Sequence, residues 1–575
     1  MLGPRPSPRR RRRRGPSMQS TPILPFAVAL LALGASFPSS TTRPDEGMWL
    51  FDALPLKTLK EKYDFEPTQE WIDHVRLGSV RFDTGGSGSF VSPNGLVMTN
   101  HHVALETIQK VSTQEKDFVE AGFSAKDYGS EVPGTDLTLR QLIEIKNVTK
   151  DVVQASAAAK DEAEKGSLRQ AKLEELAAAS TNEEKHIIAD PVVLFDGNEF
   201  RIYVYHVYDD VRVVFAPEKQ VAFYGGDLDN FTYPRYCLDC AFFRVYEDGK
   251  PIDSSKFYFK WNPEGAKADE LVFVSGHPGN TERLLTHEEM ELHRDLSVPA
   301  IVDLLTRRAE QMKKAMDANK DAAFRLRDQY FGVMNSLKAY SGHLAGLRDA
   351  EMMAKMKARD EELIAKANTP EVKAAFEFIA GEMQKLRDKY GKDGKVDLRQ
   401  LMPALQQATM QTCAEAKSTI NNARFAVYGT SMYPDATFTL RLAFGTVKGY
   451  EAGTTAVPPK TTLNGLFDRN SSFDNQPPFD LPQRWLDKKD ELDLNTPYNF
   501  VSTIDIIGGN SGSPVLNRDA EIVGLIFDGN IESLPGNYWF DERVNRAVSV
   551  HTAGMTEAIA KVYHEYSLVA ELLGR

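Results

Sequence analysis

Two short strings at opposite ends of the chain constrain its fold more than any other feature. The first is Thr-Asn-His-His-Val at residues 99–103, and the second is Gly-Gly-Asn-Ser-Gly-Ser-Pro at residues 508–514. Neither string is strong evidence alone, because glycine turns that contain a serine are common. Together they require a fold that brings a histidine near the front of the chain to a serine near its end.

The order of the two strings is that of chymotrypsin-like serine proteases, in which His, Asp and Ser follow one another along the chain. A serine hydroxyl needs a base within hydrogen-bond reach and donors aimed at the developing oxyanion. Glycines in the second string let the backbone turn the amides of Gly509 and Ser511 towards one point. We therefore predict Ser511 as the nucleophile, Gly509 with Ser511 as the oxyanion hole, and a histidine of the first string as the base.

The orienting acid of such a triad must lie between the two strings, and residues 224–244 contain three candidates. Asp239 lies just before an apolar run, as expected of an acid at the mouth of a buried strand that holds the far imidazole nitrogen. Asp227 and Asp229 sit in a glycine turn, where short acidic side chains usually bond to their own backbone. Asp239 is therefore the predicted acid.

Six motifs in order resemble those of the bacterial dipeptidyl peptidases of the 7 and 11 type. They are residues 45–50, 99–102, 225–230, 275–279, 508–514 and 524–530. The resemblance implies an α+β fold, a chymotrypsin-like double β-barrel with an inserted all-α helical domain, and a homodimeric serine exopeptidase. It implies His102, Asp239 and Ser511 as the triad, with His102 chosen over His101 because an apolar residue follows it.

The chain departs from this family in two ways. Val103 follows the predicted histidine where members often have Cys, and many members are longer than the 575 residues of this chain. The first departure is a change in packing, and the second indicates a shortened helical insert. Neither departure touches the predicted triad.

The composition of the sequence and the spacing of its apolar residues predict the division into domains. Residues 1–35 are the predicted signal peptide, 45–285 the first part of the peptidase double β-barrel, and 425–575 its second part. Between them, residues 286–424 are poor in glycine and carry apolar residues at helical spacing, which predicts the inserted helical domain. Within the first part, the alternating runs 200–208 and 211–215 predict a β-hairpin.

The first residues have the layout of a signal peptide, with a basic run at 9–14 and an apolar stretch at 23–33. The apolar stretch is shorter than the roughly 20 residues of a spanning helix. A start at Met18 is an alternative that would remove the basic run. Without residues 1–35 the chain has 62 basic and 81 acidic residues, which argues against nucleic acid and anionic membranes as partners. We expect a periplasmic or secreted protein with no stable membrane insertion after signal removal.

An exopeptidase also needs a clamp for the α-amino group of its oligopeptide substrate, which is largely cationic at neutral pH. The resemblance points to Asn230, Phe231 and Asp528 for this clamp. Asp528 closes an apolar run 17 residues after Ser511, which should place it at the cleft. Two extended residues span about 7 Å, so a clamp at that distance would measure off dipeptides. A turn cap at Asn230 and a strand-end charge at Asp528 are the alternatives.

Two positions bear on the residue accepted before the cut. Asp505 lies six residues before Ser511, where trypsin-like enzymes carry the acid that selects Lys or Arg. In the resembled family the discriminating position is 18 residues after the serine, with Arg in members that cut after Asp or Glu and Gly in members that prefer apolar residues. This chain has Gly529 there. We therefore predict an uncharged specificity pocket and cleavage after hydrophobic residues.

Other chemistry-bearing motifs are weaker. Cys237 and Cys240 bracket Asp239, and the sequence leaves open whether they form a local disulfide or two buried thiols. Residues 287–293 superficially resemble a zinc-binding helix, but Glu291 occupies the position that needs a second histidine. We predict a surface helix there, no metal site and no cofactor.

Two other functions compete with the exopeptidase. A periplasmic trypsin-like endopeptidase would share the Thr-Asn-x-His-Val pattern, but such enzymes usually carry peptide-binding domains, and only 64 residues follow Ser511. A catalytically silent peptide-binding protein of the same fold is the second alternative. The presence of His, Asp and Ser at all three positions argues against it.

Overall fold

The computed structural model of the protein describes residues 45–391, 396–429 and 432–575. The predicted signal peptide at residues 1–35 lies outside these ranges. Within them, antiparallel sheets and α-helices make up the fold, which confirms the mixed α and β class. None of the described helices has both the length and the apolar content that a bilayer crossing requires.

Twenty β-strands, counted over the described residues, form two large antiparallel sheets and one two-stranded ribbon. They are β1 (Ser79–Phe82), β2 (Ser87–Phe90), β3 (Leu96–Thr99), β4 (Phe123–Ser124), β5 (Val132–Pro133), β6 (Leu139–Asn147), β7 (Ile187–Leu194), β8 (Glu199–Tyr208), β9 (Asp210–Ala216), β10 (Ala241–Glu247), β11 (Lys250–Pro251), β12 (Leu271–Gly276), β13 (Arg441–Thr446), β14 (Tyr450–Ala452), β15 (Thr455–Val457), β16 (Lys460–Thr462), β17 (Pro497–Ser502), β18 (Pro514–Leu516), β19 (Ile522–Gly529) and β20 (Ala547–His551).

The first sheet contains β1 to β11, in the order β4-β9-β10-β3-β2-β1-β6-β8-β7, with β5 paired to β9 and β11 to β10. Strands β3 and β10 pair so that Thr99 lies opposite Ala241. This register brings the residues that follow β3, His102 among them, next to the residues that precede β10, which include Asp239. Sheet pairing therefore joins two segments that lie far apart in sequence.

The second sheet has the order β13-β12-β18-β19-β20-β17-β16. Strands β18 and β19 pair antiparallel, with Pro514 opposite Leu525. The glycine turn that precedes β18 therefore lies beside the far end of β19, where Asp528 and Gly529 are located. Each sheet places part of the predicted site at the end of a strand.

The predicted hairpin between residues 200–208 and 211–215 is wrong. Strand β8 pairs with β6 and β7, whereas β9 pairs with β10, β4 and β5. Only Asp209 separates β8 from β9, and a hairpin connection needs at least two residues to reverse the chain. The two strands instead continue in sequence and pair in different parts of the sheet.

The described helices surround the two sheets. They are α1 (Leu56–Tyr63), α2 (Gln69–Gly78), α3 (His101–Val111), α4 (Phe118–Ala121), α5 (Thr149–Ala155), α6 (Glu162–Ser180), α7 (Lys219–Ala222), α8 (Gly226–Asp229), α9 (His287–Leu292), α10 (Val298–Ala318), α11 (Lys320–Leu347), α12 (Ala350–Ala367), α13 (Pro370–Tyr390), α14 (Leu398–Gln407), α15 (Ala414–Tyr428), α16 (Leu463–Ser472), α17 (Gln483–Lys488), α18 (Thr552–Lys561) and α19 (Tyr566–Leu572). Helices α9 to α15 all lie between β12 and β13, which are neighbouring strands of the second sheet.

One large hydrophobic cluster connects the two sheets. It includes Phe242 of β10 and Phe273 of β12, both fully buried, together with Trp485 of α17. Each such side chain contributes about 1.5–3 kcal/mol or more through the apolar area it removes from water. This shared core holds the strand ends of the two sheets in a fixed relation.

Helix α11 packs closely against the 3₁₀ segment Ile531–Asn537, which follows β19. A Cβ atom at Gly342 would lie 2.4 Å from Leu534, and one at Gly346 would lie 2.6 Å from Pro535. Both glycines are therefore required for this close approach of helix and segment. Gly332 of the same helix has open space around it.

We expect Gly342→Ala to destabilise the protein by about 1–3 kcal/mol, because the added methyl group overpacks the contact with Leu534. Gly332→Ala is the matched control. It should stabilise the protein by up to about 1 kcal/mol, because alanine favours the helix and meets no neighbour. Thermal unfolding of the two variants measures the difference, and similar midpoints for both would contradict the packing argument.

Candidate active site

One cavity brings together the residues predicted from the two strings and from the segments between and after them. Its lining includes side chains that follow β3, precede β10, end β19 and lie on α11. The lining residues that the site argument uses are His102, Asn230, Phe231, Arg235, Asp239, Phe331, Asn335, Ser511, Asp528 and Gly529. Gly509 is next to this cavity in the glycine turn.

His102 and Asp239 form a close polar pair that lines the cavity. His102 lies in the first turn of α3, and its Nδ1 is 2.6 Å from Asp239 Oδ2. The backbone N–H of His102 donates to the other carboxylate oxygen at 3.1 Å, and Asn100 Nδ2 donates to the Asp239 carbonyl at 2.9 Å. These bonds fix the carboxylate in position and leave His102 Nε2 as the free imidazole nitrogen.

The two histidines of the first string have opposite environments. Burial lowers the pKa of His102, but the charge and hydrogen bond of Asp239 outweigh it and raise that pKa above the usual value. The Asp239 carboxyl, although buried, has its pKa lowered by His102. Burial lowers the pKa of His101 to about 4, so this ring stays neutral at physiological pH. His102 is the histidine that faces Asp239 and the cavity.

The glycine turn that carries Ser511 requires its glycines. Gly509 has a φ of +98° and Gly512 a φ of +85°. A Cβ at Gly509 would lie 2.4 Å from the His277 carbonyl oxygen, and one at Gly512 would lie 2.0 Å from that of Ser87. Any side chain at either position would break the turn.

The backbone amides of this turn divide into two groups. Those of Asn510, Gly512 and Ser513 donate to carbonyl oxygens of the protein. Over the described residues, no acceptor takes the amides of Gly509 and Ser511, so both remain available to a ligand. In the same part of the chain, no hydrogen bond links Ser511 Oγ to His102. Catalytic hydrogen bonds of this kind are often formed only when substrate binds.

Ser87 of β2 attaches the Ser511 turn to the first sheet, a role that the sequence did not predict. Its N–H donates to the Ser511 carbonyl at 2.8 Å, and its hydroxyl donates to the Gly509 carbonyl at 3.0 Å. The same hydroxyl accepts from the backbone N–H of His277 at 2.9 Å. His277 is fully buried and therefore structural, as predicted.

The three predicted clamp residues line the same cavity and contact one another or its other lining residues. The Phe231 N–H donates to Asp528 Oδ2 at 2.9 Å, and Phe231 has a φ of +54°, a costly conformation for a residue with a side chain. Asn230 Nδ2 donates to Asn335 Oδ1 at 3.1 Å, which leaves the Asn230 amide oxygen as an acceptor. Arg235 forms a buried ion pair with Asp528.

The predicted specificity position, Gly529, lines the cavity together with apolar side chains. Ile506, Ile526 and Leu534 line the same cavity. A Cβ at residue 529 would lie 2.3 Å from Ser533 Oγ, and that hydroxyl donates to the Asn530 carbonyl at 2.7 Å. Ser533 therefore occupies the space that a longer side chain at this position would need.

Asp505 does not face the cavity. It is 1 % exposed and forms a two-point ion pair with Arg283, of which the Oδ1 bond measures 2.8 Å. The Gly47 N–H donates to its other oxygen at 3.0 Å. Because Arg283 neutralises this carboxylate, Asp505 offers no charge to a substrate side chain.

The remaining sequence candidates have structural roles. Cys237, Cys240 and Cys413 are buried free thiols, so the alternative of a local disulfide is wrong. Asp229 pairs with Arg469 at 2.6 Å. His287, Glu288 and Glu291 lie within 4.8 Å of one another, but arginines pair with both carboxylates, which removes the excess negative charge that a metal ion needs.

The comparisons with known proteins agree on one family. The family model described as Peptidase S46 matches residues 44–398 and 395–574. The chain belongs to the peptidase S46 family. It is accordingly a serine dipeptidyl peptidase that acts on peptides.

Two relatives and one solved structure illustrate the range of this family. The chain is 24 % identical to dipeptidyl-peptidase 7 of Capnocytophaga gingivalis, over 89 % of this chain and 94 % of the relative. It is 25 % identical to the Asp/Glu-specific dipeptidyl-peptidase of Shewanella putrefaciens, over 93 % and 98 %. The crystal structure of Porphyromonas endodontalis DPP11 in complex with the dipeptide Arg-Glu superimposes with a TM-score of 0.78 at 19 % identity, over 92 % of this chain and 99 % of that one. This likeness supports the fold.

Three contributors to the site were missed from the sequence. Phe331 and Asn335 lie on α11, about 100 residues from Phe231 and Asn230, and nothing in a helical stripe indicates which residue reaches a distant cavity. Arg235 could have been found, because a lone basic residue among the aromatic residues before Asp239 needs a buried acidic partner.

The pKa of His102 predicts the pH dependence of the reaction. Because this pKa is raised, kcat/KM should fall as the pH drops through a midpoint above 6.5, where the imidazole becomes protonated and ceases to be a base. In Asp239→Asn, His102 loses the charge and the ionic hydrogen bond that raise its pKa, so the midpoint should move down, with a loss of kcat of about 10⁴-fold.

Asp229→Asn is the control for that measurement, because Asp229 is also a buried, ion-paired aspartate of the same segment. Its acid midpoint should equal that of the unmodified protein. An unchanged midpoint in Asp239→Asn would contradict the assignment of the raised pKa to this pair.

Proposed function

We propose that this peptidase releases dipeptides from the free N-terminus of oligopeptides, after hydrophobic residues, with His102, Asp239 and Ser511 as its triad. One observation carries the proposal. A single cavity is lined by the His102–Asp239 pair and Ser511 together with the carboxylate of Asp528 and the amide of Asn230. The alternatives of an endopeptidase and a silent binding protein have no such observation in their favour.

In this mechanism Ser511 Oγ attacks the carbonyl carbon of the second peptide bond, and His102 Nε2 takes its proton. Asp239, 2.6 Å from Nδ1, holds the ring orientation and stabilises the imidazolium that forms. The free amides of Gly509 and Ser511 are the donors for the oxyanion. His102 then returns the proton to the leaving amine, and water completes the cycle through the same base.

The clamp determines the length of the product. In the proposed clamp the substrate ammonium group donates hydrogen bonds to Asp528 and to the Asn230 amide oxygen, and both residues line the cavity that contains Ser511. Two extended residues span about 7 Å, so a clamp at that distance from Ser511 would present the second peptide bond to the serine. An N-acylated peptide has no charge to bind there.

Hydrophobic preference follows from the specificity pocket. Ile506, Ile526 and Leu534 offer apolar surface, Gly529 adds no charge, and Asp505 is neutralised by Arg283. Burial of a leucine-sized side chain contributes about 1.5–3 kcal/mol, whereas burial of an unpaired carboxylate is costly. Some relatives are named as Asp/Glu-specific, and the uncharged pocket is the argument for proposing a different preference in the present chain.

The architecture and location of the enzyme form part of the proposal. We take the two antiparallel sheets as the two halves of a chymotrypsin-like double β-barrel, divided into 45–285 and 425–575, with 286–424 as the inserted helical domain. The position of α9 to α15 between two paired neighbouring strands supports an insertion. A periplasmic or secreted homodimer, formed after removal of residues 1–35, completes the proposal.

Ser511→Ala should abolish hydrolysis, with a loss of about 10⁵–10⁶-fold in kcat and an unchanged melting temperature, because the base has no hydroxyl to activate. Ser513→Ala, two residues further along the same turn, is the matched control and should remain active.

Mass spectrometry of a mixed peptide pool should show dipeptides from free N-termini and no product from N-acetylated peptides. Internal cleavage of the acetylated pool would support the endopeptidase instead.

Specificity is tested with dipeptide substrates that end in Leu, Phe, Lys or Asp. We expect Leu and Phe to exceed Asp and Lys by at least about tenfold in kcat/KM, in line with the burial energy of the side chain. Gly529→Arg should gain activity on Asp, and the gain should be larger when Ser533→Gly removes the clash at 2.3 Å. A best rate with Lys would overturn the uncharged pocket.

A further inference from the structure

The clamp carboxylate Asp528 is held by a second charged residue. Arg235 Nη1 donates to Asp528 Oδ2, and the two side chains are 2 % and 5 % exposed. Removal of one partner from a buried ion pair leaves the other charge without compensation, so the placement of Asp528 depends on Arg235.

The hydrogen bonds around Asp528 leave one acceptor position of its carboxylate unused. A carboxylate has about four lone-pair sites. Arg235 and the Phe231 amide use Oδ2, and the Gly529 amide donates to Oδ1 at 2.9 Å. One further donor can therefore bind Asp528, and the direction from which it comes is set by the groups already in place.

Arg235 is itself rigidly placed. Its Nε donates to Cys237 Sγ at 3.3 Å, and its guanidinium lies 5.3 Å from the centre of the Phe527 ring. Thr461 Oγ1 donates to its backbone carbonyl at 2.9 Å. The side chain therefore comes to Asp528 already ordered, and it loses little rotamer freedom in pairing.

We propose that Arg235 is a positioning residue of the amine clamp, which holds the Asp528 carboxylate oriented for the α-ammonium group of the substrate. This inference rests on the proposed release of dipeptides from a free N-terminus. It assigns Arg235 no contact with the scissile bond. Loss of Arg235 should therefore weaken the recognition of the substrate amine and leave the chemistry at Ser511 intact.

The test uses Arg235→Met in the full chain, with a dipeptide p-nitroanilide that has a free N-terminus and its N-acetyl form. We expect KM for the free-amine substrate to rise at least about tenfold, equivalent to the loss of one charge-assisted hydrogen bond, with kcat within about threefold. The preference for the free amine over the acetyl form should fall by the same factor. Phenylmethanesulfonyl fluoride, which has no amine, should inactivate the variant at pH 9 at the unmodified protein's rate.

Two further variants show whether Arg235 acts through Asp528. Asp528→Asn should raise KM as well, and the double variant with Arg235→Met should be no worse than Asp528→Asn alone. Arg235→Lys keeps the charge but loses the planar fork, so its KM should rise about 3–10-fold. If the methionine variant does not fold, the lysine variant decides the question, and an unchanged KM would overturn the inference.

Arg244→Met is the matched control, because Arg244 is also a buried arginine, 3 % exposed and paired with Glu131 and Glu571, but it does not line the cavity. It should lower the melting temperature and leave KM unchanged. An unmodified protein that cleaves both substrates equally would refute the proposed amine clamp itself. A second outcome is that the unmodified protein rejects the acetyl form and the Arg235→Met variant rejects it to the same extent. This outcome would refute the role of Arg235 and leave the amine clamp in place.

Discussion

The site depends on the attachment of the Ser511 turn to the first sheet. The turn belongs to the second sheet, whereas His102 and Asp239 belong to the first, so their relation depends on contacts between the sheets. Ser87 makes that connection with two hydrogen bonds to backbone carbonyls of the turn, at 2.8 and 3.0 Å. The first of these bonds joins two backbone groups and the second uses the Ser87 hydroxyl, and together they fix the Ser511 turn relative to the sheet that positions His102.

Three buried aspartates near the cavity have different roles because their partners differ. Asp239 pairs with an imidazole, which can exchange a proton, and so tunes a base. Asp528 pairs with Arg235 and keeps room for one more donor. Asp505 is fully engaged by Arg283 and by a backbone amide, and so acts as a structural link between distant segments. The residue type is the same in each case, and the partner decides what the carboxylate can do.

Predictions from the sequence differed according to whether the signal was local or depended on a partner. The glycine turn and the His-His string are complete within a few residues, and His102 and Ser511, chosen from them, line one cavity. The hairpin failed because alternation indicates a strand but not its neighbour, and residues 209–210 were taken for a turn although β9 begins at residue 210. The cysteine pair stayed undecided because spacing says nothing about the distance between sulfur atoms.

The sequence by itself determined the reaction type, because the nucleophile, the base and the glycines of the turn are fixed by local chemistry and by order along the chain. Only the tertiary structure decided which charged and polar side chains pair with one another. It paired Asp505 with Arg283 and Asp528 with Arg235, and it brought Asn335 of α11 to Asn230. These partners lie 105, 222 and 293 residues apart. A charge far along the chain becomes a neighbour only through packing, which local sequence does not encode.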